Sequence, residues 1–264
     1  MKERLDVILV NKGLAPSRDN AKRTIMAGLV TVDGVVETKS GQKFNVDSEF
    51  AVMEKLLKYV SRGGIKLEKA IDSFGIDLAN CYTVDMGAST GGFTDCMLMN
   101  GAVKVYALDV GYGQLDYKLR VDPRVINMEK TNIRYLDMNL IAKPIDFISI
   151  DVSFISLRHM FPVASALLKD DGAVMCLIKP QFEAGREQVG KKGIVRDDRV
   201  HLDVIEKVIG YAALEGLYPH GLDYSPVKGT KGNIEYLLYL KKSESDSDIS
   251  PREVVARAHS ELDD

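Results

Sequence analysis

The chain has 264 residues, of which 45% are hydrophobic and 28% charged, and its formal net charge is −3. This length and composition are typical of a globular protein with one large and one small domain, and no apolar run reaches the about 18–20 residues that cross a bilayer. The N-terminal residues lack the apolar segment of a signal peptide, and the spacing of the three cysteines fits neither a metal site nor a disulfide framework. We therefore expect a cytoplasmic protein with no metal site and no membrane contact.

The charge is distributed unevenly along the chain. Residues 243–264 carry seven acids against two arginines, a balance of −5, so the rest of the chain carries +2. Residues 1–28 carry six bases against three acids, a balance of +3. A local basic patch matters more for contact with phosphates than the total charge does. Charge alone is nevertheless more typical of a solvated helix surface, so it leaves both interpretations open.

Residues 1–57 are predicted to form a compact α+β unit of two helices, a hairpin and a further strand. The predicted segments are Arg4–Lys12, Arg18–Ala27, Val30–Val36 and Phe50–Val52. Apolar residues at helical spacing support the first helix, and Gly13 is expected to end it. Ser17 is a suitable N-cap for the second helix, and Asp33-Gly34 is a strong hairpin turn signal.

This unit resembles the S4-like RNA-binding module found in a small-subunit ribosomal protein and in pseudouridine synthases. The resemblance runs from Leu5 to Gly34 and includes Gly-Leu-Ala-Pro-Ser-Arg at residues 13–18 and Ala-Gly-Leu-Val-Thr-Val-Asp-Gly at residues 27–34. It implies that exposed bases of the module contact RNA phosphates. The bases implicated in this chain are Arg4, Arg18, Lys22 and Arg23.

Residues 58–62 are predicted to be a linker, and residues 63–242 alternate strand and helix patterns. The β-rich runs are Tyr82–Val84, Val103–Leu108, Val125–Met128, Ile145–Ile150, Ala173–Ile178 and Ile234–Leu240. Such alternation predicts a Rossmann-like α/β domain with a doubly wound, mostly parallel sheet of about seven strands. The remaining residues, 243–264, form an acidic tail with a possible helix at Pro251–Leu262, and we assign no chemistry to this tail.

A glycine-rich loop follows the first of these strands and opens a helix. Its spacing is G-x-x-x-G-G, which matches neither the dinucleotide fingerprint G-x-G-x-x-G nor the ending of a phosphate-binding P-loop. The stretch Asp-x-Gly-x-x-x-Gly-Gly-Phe instead resembles the first motif of class I methyltransferases, especially the FtsJ-like family. The resemblance implies that S-adenosylmethionine is bound by Asp85, Gly87, Ala88, Ser89, Thr90, Gly91, Gly92 and Phe93. We expect a side chain at Gly87 to block the ligand and leave the fold intact.

Two later strands are expected to complete the cofactor site. Asp109 ends the second strand, where an acid can accept both ribose hydroxyls of a cofactor, although alone it could equally cap a helix. After the third strand, Glu129 or Asn132 could meet the adenine, but a polar residue at such a place is usually part of a turn.

Two lysines occupy different faces of the predicted helix Gly64–Phe74. At 100° per residue, Lys66 falls on the edge of the apolar stripe formed by the buried positions, and Lys69 points away from it. We therefore expect Lys66 to be half-sheltered and Lys69 to lie on the solvent side of the helix.

Three more charged residues accompany strands. Asp151 and Lys179 end apolar strands, and Glu235 sits inside the predicted strand Ile234–Leu240. Any one of them alone would usually be solvated, but the carboxyl ends of strands in an open α/β sheet line the ligand crevice. Together with Lys66 and the glycine loop, they resemble the Lys-Asp-Lys-Glu tetrad of FtsJ-like RNA ribose methyltransferases.

The tetrad suits attack by a ribose 2′-hydroxyl, which must lose its proton as it accepts a methyl group. A lysine can take that proton only if its amine is partly neutral, and burial or a neighbouring cation lowers a lysine pKa. We therefore expect Lys179 to be the base or the group that orients the hydroxyl, with Lys66 as the cation beside it. Asp151 and Glu235 would position the two lysines and balance their charge.

The chain as a whole, from about Leu5 to Leu240, resembles the TlyA family. The resemblance implies 2′-O-methylation of cytidine in 16S or 23S ribosomal RNA, or in both, with ribosomal RNA or ribosomal subunits as partners. Two other reactions are disfavoured. Enzymes that methylate an exocyclic amine typically carry prolines after the fourth strand, and Asp-Val-Ser-Phe at 151–154 lacks them. Methylation of cytosine C5 needs a cysteine nucleophile near the crevice, and Cys176 lies in the middle of a strand.

Two rival functions belong to other classes. Family members are often labelled haemolysins, but a pore-forming protein needs a membrane-inserting amphipathic segment, and none is evident. A non-catalytic RNA-binding assembly factor could keep the same fold, but the intact tetrad argues against it.

Overall fold

The computed structural model describes residues 2–52, 58–142, 144–245 and 249–262. The predicted domain boundary at residue 57, and the tail acids Asp246, Asp248, Asp263 and Asp264, lie outside the described residues.

The N-terminal unit consists of two helices and five short strands. Its elements are β1 (Lys2–Arg4), α1 (Leu5–Asn11), α2 (Arg18–Met26), β2 (Val30–Val32), β3 (Val35–Glu37), β4 (Lys43–Asn45) and β5 (Phe50–Val52). Strand β2 pairs antiparallel with both β3 and β5, and β1 pairs with β4. The predicted helices, hairpin and last strand are thereby confirmed, and the Ser17 hydroxyl accepts a 3.2 Å hydrogen bond from the Asn20 amide at the start of α2.

The N-terminal unit buries a small core of its own. Leu5, Leu9, Ile25 and Val30 are fully buried where the two helices pack on the sheet. The β1–β4 pair was not predicted, because both strands are only three residues long and carry mostly polar, exposed residues. An apolar alternation is the signal that would have indicated them, and it is absent there.

The larger domain is built on a seven-stranded sheet. The strands are β6 (Tyr82–Met86), β7 (Lys104–Leu108), β8 (Val125–Met128), β9 (Ile145–Ile150), β10 (Leu168–Ile178), β11 (Tyr218–Tyr224) and β12 (Tyr236–Lys241). The helices are α3 (Gly63–Phe74), α4 (Gly92–Met99), α5 (Tyr117–Arg120), α6 (Phe161–Leu167), α7 (Pro180–Glu183), α8 (Asp198–Leu214) and α9 (Pro251–Leu262). Short 3₁₀ turns lie at Ile133–Tyr135, Met138–Leu140, Leu157–His159, Arg186–Gln188 and Thr230–Gly232.

The strand order is β11-β12-β10-β9-β6-β7-β8. The five strands from β10 to β8 are parallel, and β12 is antiparallel to both of its neighbours, so the predicted mostly parallel sheet is confirmed. Apolar side chains cover both faces of the sheet, and Val254, Val255 and Ala258 of α9 are buried in the core of one of them.

The topology brings the polar strand ends to one edge. Strands β6, β7, β9 and β10 all end there because they are parallel. Strand β12 begins there, since Tyr236 pairs with Ile178 at the end of β10.

One strand was placed incorrectly from the sequence. Glu235 was predicted inside a strand beginning at Ile234, but β12 begins at Tyr236, so Glu235 precedes the strand. The reason is local, because the Asn233 side chain accepts from the Val195 amide and donates to the Gly193 carbonyl. These hydrogen bonds tie Asn233 to the neighbouring loop, and Glu235 keeps one backbone hydrogen bond beyond the strand, from the Ser225 amide to its carbonyl oxygen.

Candidate active site

The four tetrad side chains converge as two ion pairs. The Lys179 ammonium lies 2.5 Å from Asp151 Oδ1, and the Lys66 ammonium donates a 2.6 Å hydrogen bond to Glu235 Oε2. All four line one cavity of about 220 Å³ at the sheet edge. The side chains of Lys179 and Glu235 are only 10% and 3% exposed, so these charges are largely removed from water.

The protonation of Lys179 differs from the sequence-based expectation. Burial would lower the pKa of Lys179, but the carboxylates of Asp151 and Glu235 outweigh burial and hold the pKa above its ordinary value. Burial likewise opposes ionisation of Asp151, but the two lysine ammoniums keep its pKa below the usual range. The expectation that burial and the Lys66 cation lower the Lys179 pKa is therefore wrong for this arrangement, because the two nearby carboxylates stabilise the charged ammonium.

The other lysine of helix α3 is not a solvated residue. Lys69 forms an ion pair of 3.3 Å with Asp223, and its ammonium lies 3.7 Å from the centre of the Tyr224 ring. Its predicted place on the solvent side of the helix is wrong, because β11 packs where open solvent was expected. Lys66, by contrast, has the sheltered position that the apolar stripe predicted.

The glycine loop is packed tightly by the protein itself. Gly87 has a φ of 93°, and a Cβ there would lie 2.5 Å from the Asp151 carbonyl oxygen. At Gly92, a Cβ would lie 2.3 Å from Ser61 Oγ. The expectation that a side chain at Gly87 would leave the fold intact is therefore wrong, because it would displace the backbone at Asp151.

Asp85 lies beneath the loop and lines neither the tetrad cavity nor those that adjoin it. Its buried carboxylate accepts hydrogen bonds of 2.7 Å from Thr94 Oγ1 and 3.1 Å from Ser149 Oγ. Burial is the largest influence on Asp85 and raises its pKa to about 7. Asp85 thus supports the loop from below, whereas Gly87, Ala88, Ser89, Thr90, Gly92 and Phe93 line the tetrad cavity.

A second cavity, of about 330 Å³, adjoins the first and shares Gly87, Ser89, Asp151 and Ser153 with it. Asp109 and Asn132 lie in its wall beside apolar side chains that include Ile133 and Met160. The Asp109 carboxylate accepts hydrogen bonds from the amides of Ser89 and Gly111, at 2.8 and 2.6 Å, and retains further lone pairs for hydroxyl donors.

The two adenine candidates have different surroundings. Asn132 lines the second cavity, although its side-chain oxygen also caps a 3₁₀ turn. Glu129 lines none of these cavities, because it is held by Arg120 at 2.6 Å and by the Gln114 amide. Of the two alternatives, Asn132 is therefore the one that lines the cavity of Asp109.

The four bases implicated in RNA contact lie on the N-terminal unit. Arg4 and Arg18 both pair with the buried carboxylate of Asp6, at 2.9 and 3.1 Å, and Lys22 pairs with Asp19 at 3.2 Å. The Arg23 guanidinium donates to the Asp19 carbonyl oxygen, and Arg23 lines a cavity of about 210 Å³ that also includes Val60 and Thr90. Their role in RNA binding remains a prediction.

Sequence reasoning missed several residues of the site. Ser153 accepts a 3.1 Å hydrogen bond from Lys179, and Arg62 Nε and Gln181 Oε1 are buried atoms without a hydrogen bond to the described residues. Phe154 is 82% exposed, has a φ of 64°, and contacts the Phe182 ring beside the tetrad. Ser153 and Phe154 stand within the Asp-Val-Ser-Phe stretch at 151–154, and Arg62 ends the predicted linker, but their side-chain directions could not be inferred from spacing.

Two classes of site are absent from the described part of the chain. Within those residues no helix combines the length and apolar character needed to cross a membrane. Within the same ranges, no three His, Cys, Asp or Glu side chains are grouped so that they could hold a metal ion.

Comparison with known proteins follows the division into two units. The profile of FtsJ-like methyltransferases matches residues 59–242, and that of the S4 domain matches residues 3–49. The 16S/23S rRNA (cytidine-2′-O)-methyltransferase TlyA of Mycobacterium tuberculosis is 39% identical over 98% of this chain and 97% of its own length. Hemolysin A of Brachyspira hyodysenteriae is 44% identical over 90% of this chain and 99% of its own. A solved structure from Streptococcus thermophilus, named as a hemolysin, is 48% identical with a TM-score of 0.79, covering 99% of this chain and 97% of that one.

Proposed function

The chain belongs to the FtsJ-like methyltransferase family and carries an S4 domain, and on this basis we propose that it methylates the 2′-hydroxyl of a cytidine in ribosomal RNA. The methyl donor would be S-adenosylmethionine, and the reaction would take place on ribosomal RNA or subunits in the cytoplasm. The observation that carries the proposal is the convergence of Lys66, Asp151, Lys179 and Glu235 in one cavity beside the cavity of Asp109.

The residues around the second cavity fit the donor. A carboxylate with free lone pairs, Asp109, suits the two hydroxyls of a ribose, and apolar walls beside Asn132 suit an adenine ring. When bound, S-adenosylmethionine would supply an electrophilic methyl group on a positively charged sulfur. Gly87 and Ser89 of the glycine loop line both this cavity and the tetrad cavity, which suits a donor that reaches from Asp109 toward the tetrad.

The tetrad provides the positioning groups and the proton acceptor that a ribose hydroxyl needs in order to act as a nucleophile. As an ammonium, Lys179 would orient the 2′-hydroxyl; after its own proton has passed to water, for which Ser153 is the hydrogen-bonded neighbour, the neutral amine would take up the hydroxyl proton. Asp151 fixes the position of Lys179, and Glu235 fixes that of Lys66. Each lysine is thus held by its own carboxylate on a rigid element.

Features beside the tetrad suit a nucleotide. A target nucleotide inside an RNA helix must leave that helix before its ribose can reach the sheltered lysine Lys179. The exposed Phe154 ring, which contacts the half-buried Phe182 ring, provides an aromatic surface on which an extruded nucleobase could stack. The preference for cytidine is proposed from the printed name of the Mycobacterium relative, which specifies cytidine-2′-O transfer.

The rival functions account for fewer features. An RNA-binding assembly factor would gain nothing from two buried ion pairs, because removing charges from water costs several kcal/mol per ion. The pore-forming function is named by one relative, but neither the paired tetrad nor the glycine loop has a part in it.

The decisive experiment incubates the purified protein with radiolabelled S-adenosylmethionine and with small or large ribosomal subunits. We expect label in ribosomal RNA and a modified nucleotide that resists alkaline cleavage, since only ribose methylation blocks that reaction. An alkali-sensitive product would overturn the ribose assignment. RNA binding without any transfer would favour an assembly factor, and dye release from lipid vesicles without transfer would favour the haemolysin.

A further inference from the structure

A basic cleft lies between the S4 domain and the methyltransferase domain. Its volume is about 500 Å³, and both domains contribute to its walls. The lining residues are Val35, Val36, Glu37, Lys39, Gln42, Lys192, Ile194, Arg196 and Lys231. Strand β3 of the S4 hairpin packs against the turn Thr230–Gly232 at this place, so the cleft exists only where the two domains meet.

The cations of the cleft are exposed and outnumber its acid. Lys39, Lys192, Arg196 and Lys231 face one acid, Glu37, whose pKa is raised mainly by burial. None of the four cations forms an ion pair with another of the described residues, whereas Arg4, Arg18 and Lys22 on the S4 surface are all paired. Four cations against one acid leave an excess of positive charge around the cleft, which suits a polyanion.

The cleft continues into the tetrad. Lys39 and Lys231 also line a neighbouring cavity of about 420 Å³, in which Lys179, Glu235 and Phe154 lie. A polyanion bound in the cleft would thus lie next to the cavity that contains Lys179.

The cleft wall is held firmly. Lys231 has a φ of 65°, and its ammonium lies over Gly193, where a Cβ would approach it to 3.1 Å. The Asn233 side chain bonds the same loop at Gly193 and Val195. Lys231 and the loop at Gly193 therefore lie side by side, and Asn233 ties that loop to the segment that carries Glu235.

We propose that this cleft binds the phosphates of a single-stranded RNA segment that adjoins the target nucleotide. The inference rests on the proposed function, because it specifies how that RNA enters the site. A single strand is expected because a nucleotide that must reach the sheltered Lys179 is supplied most readily by an unpaired loop, whose nucleotides are already splayed out. The S4 surface would dock the folded RNA, and the cleft would guide the strand.

The first test replaces three cleft cations together, in Lys192→Gln/Arg196→Gln/Lys231→Gln. The control is Lys191→Gln, since Lys191 is an exposed neighbour in the same loop that does not line the cleft. The affinity of each variant for the ribosomal RNA substrate is measured from 50 to 200 mM salt. Removing one cation that neutralises a phosphate of a single strand lowers the log–log slope by about 0.7, so we expect a slope smaller by about 2 and an affinity that falls roughly 20-fold less over this range.

The outcomes separate the inference from the proposed function. If the parental protein makes no methylated ribose, the proposed function fails, whatever the slope of the variant. If it does and the triple variant keeps the parental slope while folding normally, the cleft inference alone is overturned. The parental slope in Lys191→Gln together with a reduced slope in the triple variant supports the cleft.

A second measurement locates the strand. A photoreactive benzoylphenylalanine in place of Lys192 is irradiated on the substrate, and the cross-linked position is mapped. We expect RNA cross-links to the nucleotides next to the methylated one. Cross-links only to distant duplex RNA, or only to a ribosomal protein, would overturn the inference, the latter in favour of an acidic protein partner.

Discussion

Replacing Lys179 by alanine should remove both an ion pair and the chemistry, and the two effects can be separated. The Lys179–Asp151 pair is 2.5 Å long and lies in the cavity with 10% of the lysine side chain exposed. Removing one partner of a buried pair costs about 3–5 kcal/mol. Because 21% of the Asp151 side chain still meets solvent, we expect the lower end, about 3 kcal/mol. For a protein of this size, that corresponds to a loss of roughly 6–12 °C in melting temperature.

The sheet contains a matched control. Lys169 at the start of β10 pairs with Asp146 on β9 at 2.7 Å, so the same two strands carry a second Lys–Asp pair near their opposite ends. This pair is more exposed, and exposed pairs contribute about 0–1 kcal/mol. Lys169→Ala should therefore lower the melting temperature by no more than a few degrees and leave the rate of methyl transfer unchanged.

Single-turnover transfer of labelled methyl to ribosomal subunits measures the chemistry. Lys179→Ala should lose about 10²–10⁴-fold in rate, the usual contribution of a positioned base. The double variant Lys179→Ala/Asp151→Asn removes the unpaired carboxylate, so it should recover melting temperature but not activity. Full activity in Lys179→Ala, or activity recovered together with stability in the double variant, would refute a chemical role for Lys179.

Three further predictions concern ionisable groups. Because the Lys179 pKa is raised, the fraction of neutral Lys179 increases as the pH rises, so the transfer rate should increase between pH 7 and 9. Asp151→Asn should move this rising limb of the pH profile to lower pH. A flat profile would mean that Lys179 only orients the hydroxyl. The pKa of Asp85 rises from 3.8 to about 7 on folding, so the free energy of unfolding should fall as pH rises between these values, and chemical denaturation should show a smaller fall in Asp85→Asn. Asp109→Ala should weaken S-adenosylmethionine binding about 10–100-fold in calorimetry, the value of one to two charged hydrogen bonds, and unchanged affinity would contradict the ribose role.

Sequence patterns predicted the parts of the site that depend on strand ends. Asp151, Lys179 and the glycine loop each follow an apolar, β-branched run, and parallel strands must end at one edge. The sheltered position of Lys66 followed from the apolar stripe of its own helix. These inferences needed only local periodicity and the rule for parallel sheets.

Features that depend on distant partners could not be predicted in this way. Strand β11 was missed because Tyr218–Tyr224 contains Pro219 and Gly221 and lies at the edge of the sheet, where the apolar pattern is weak. Its absence from the prediction led directly to the error for Lys69, whose partner Asp223 lies on that strand. The raised pKa of Lys179 depends on two carboxylates whose distances no spacing reveals. The basic cleft likewise could not be predicted, because it depends on how the two domains are placed relative to each other.

The surroundings of the two lysines decide which of them can take up a proton. The four tetrad charges sum to zero, and each lysine has a carboxylate within 2.6 Å, so a base forms only when one ammonium loses its proton. Lys66 and Lys179 are similarly sheltered, with 12% and 10% of their side chains exposed, and the Lys66 ammonium donates its hydrogen bond to Glu235. Lys179 also donates to Ser153, which lines all three cavities that meet at the site. The Ser153 hydroxyl can accept from the ammonium and donate to water in these cavities, and this is the physical reason to assign the proton transfer to Lys179 rather than to Lys66.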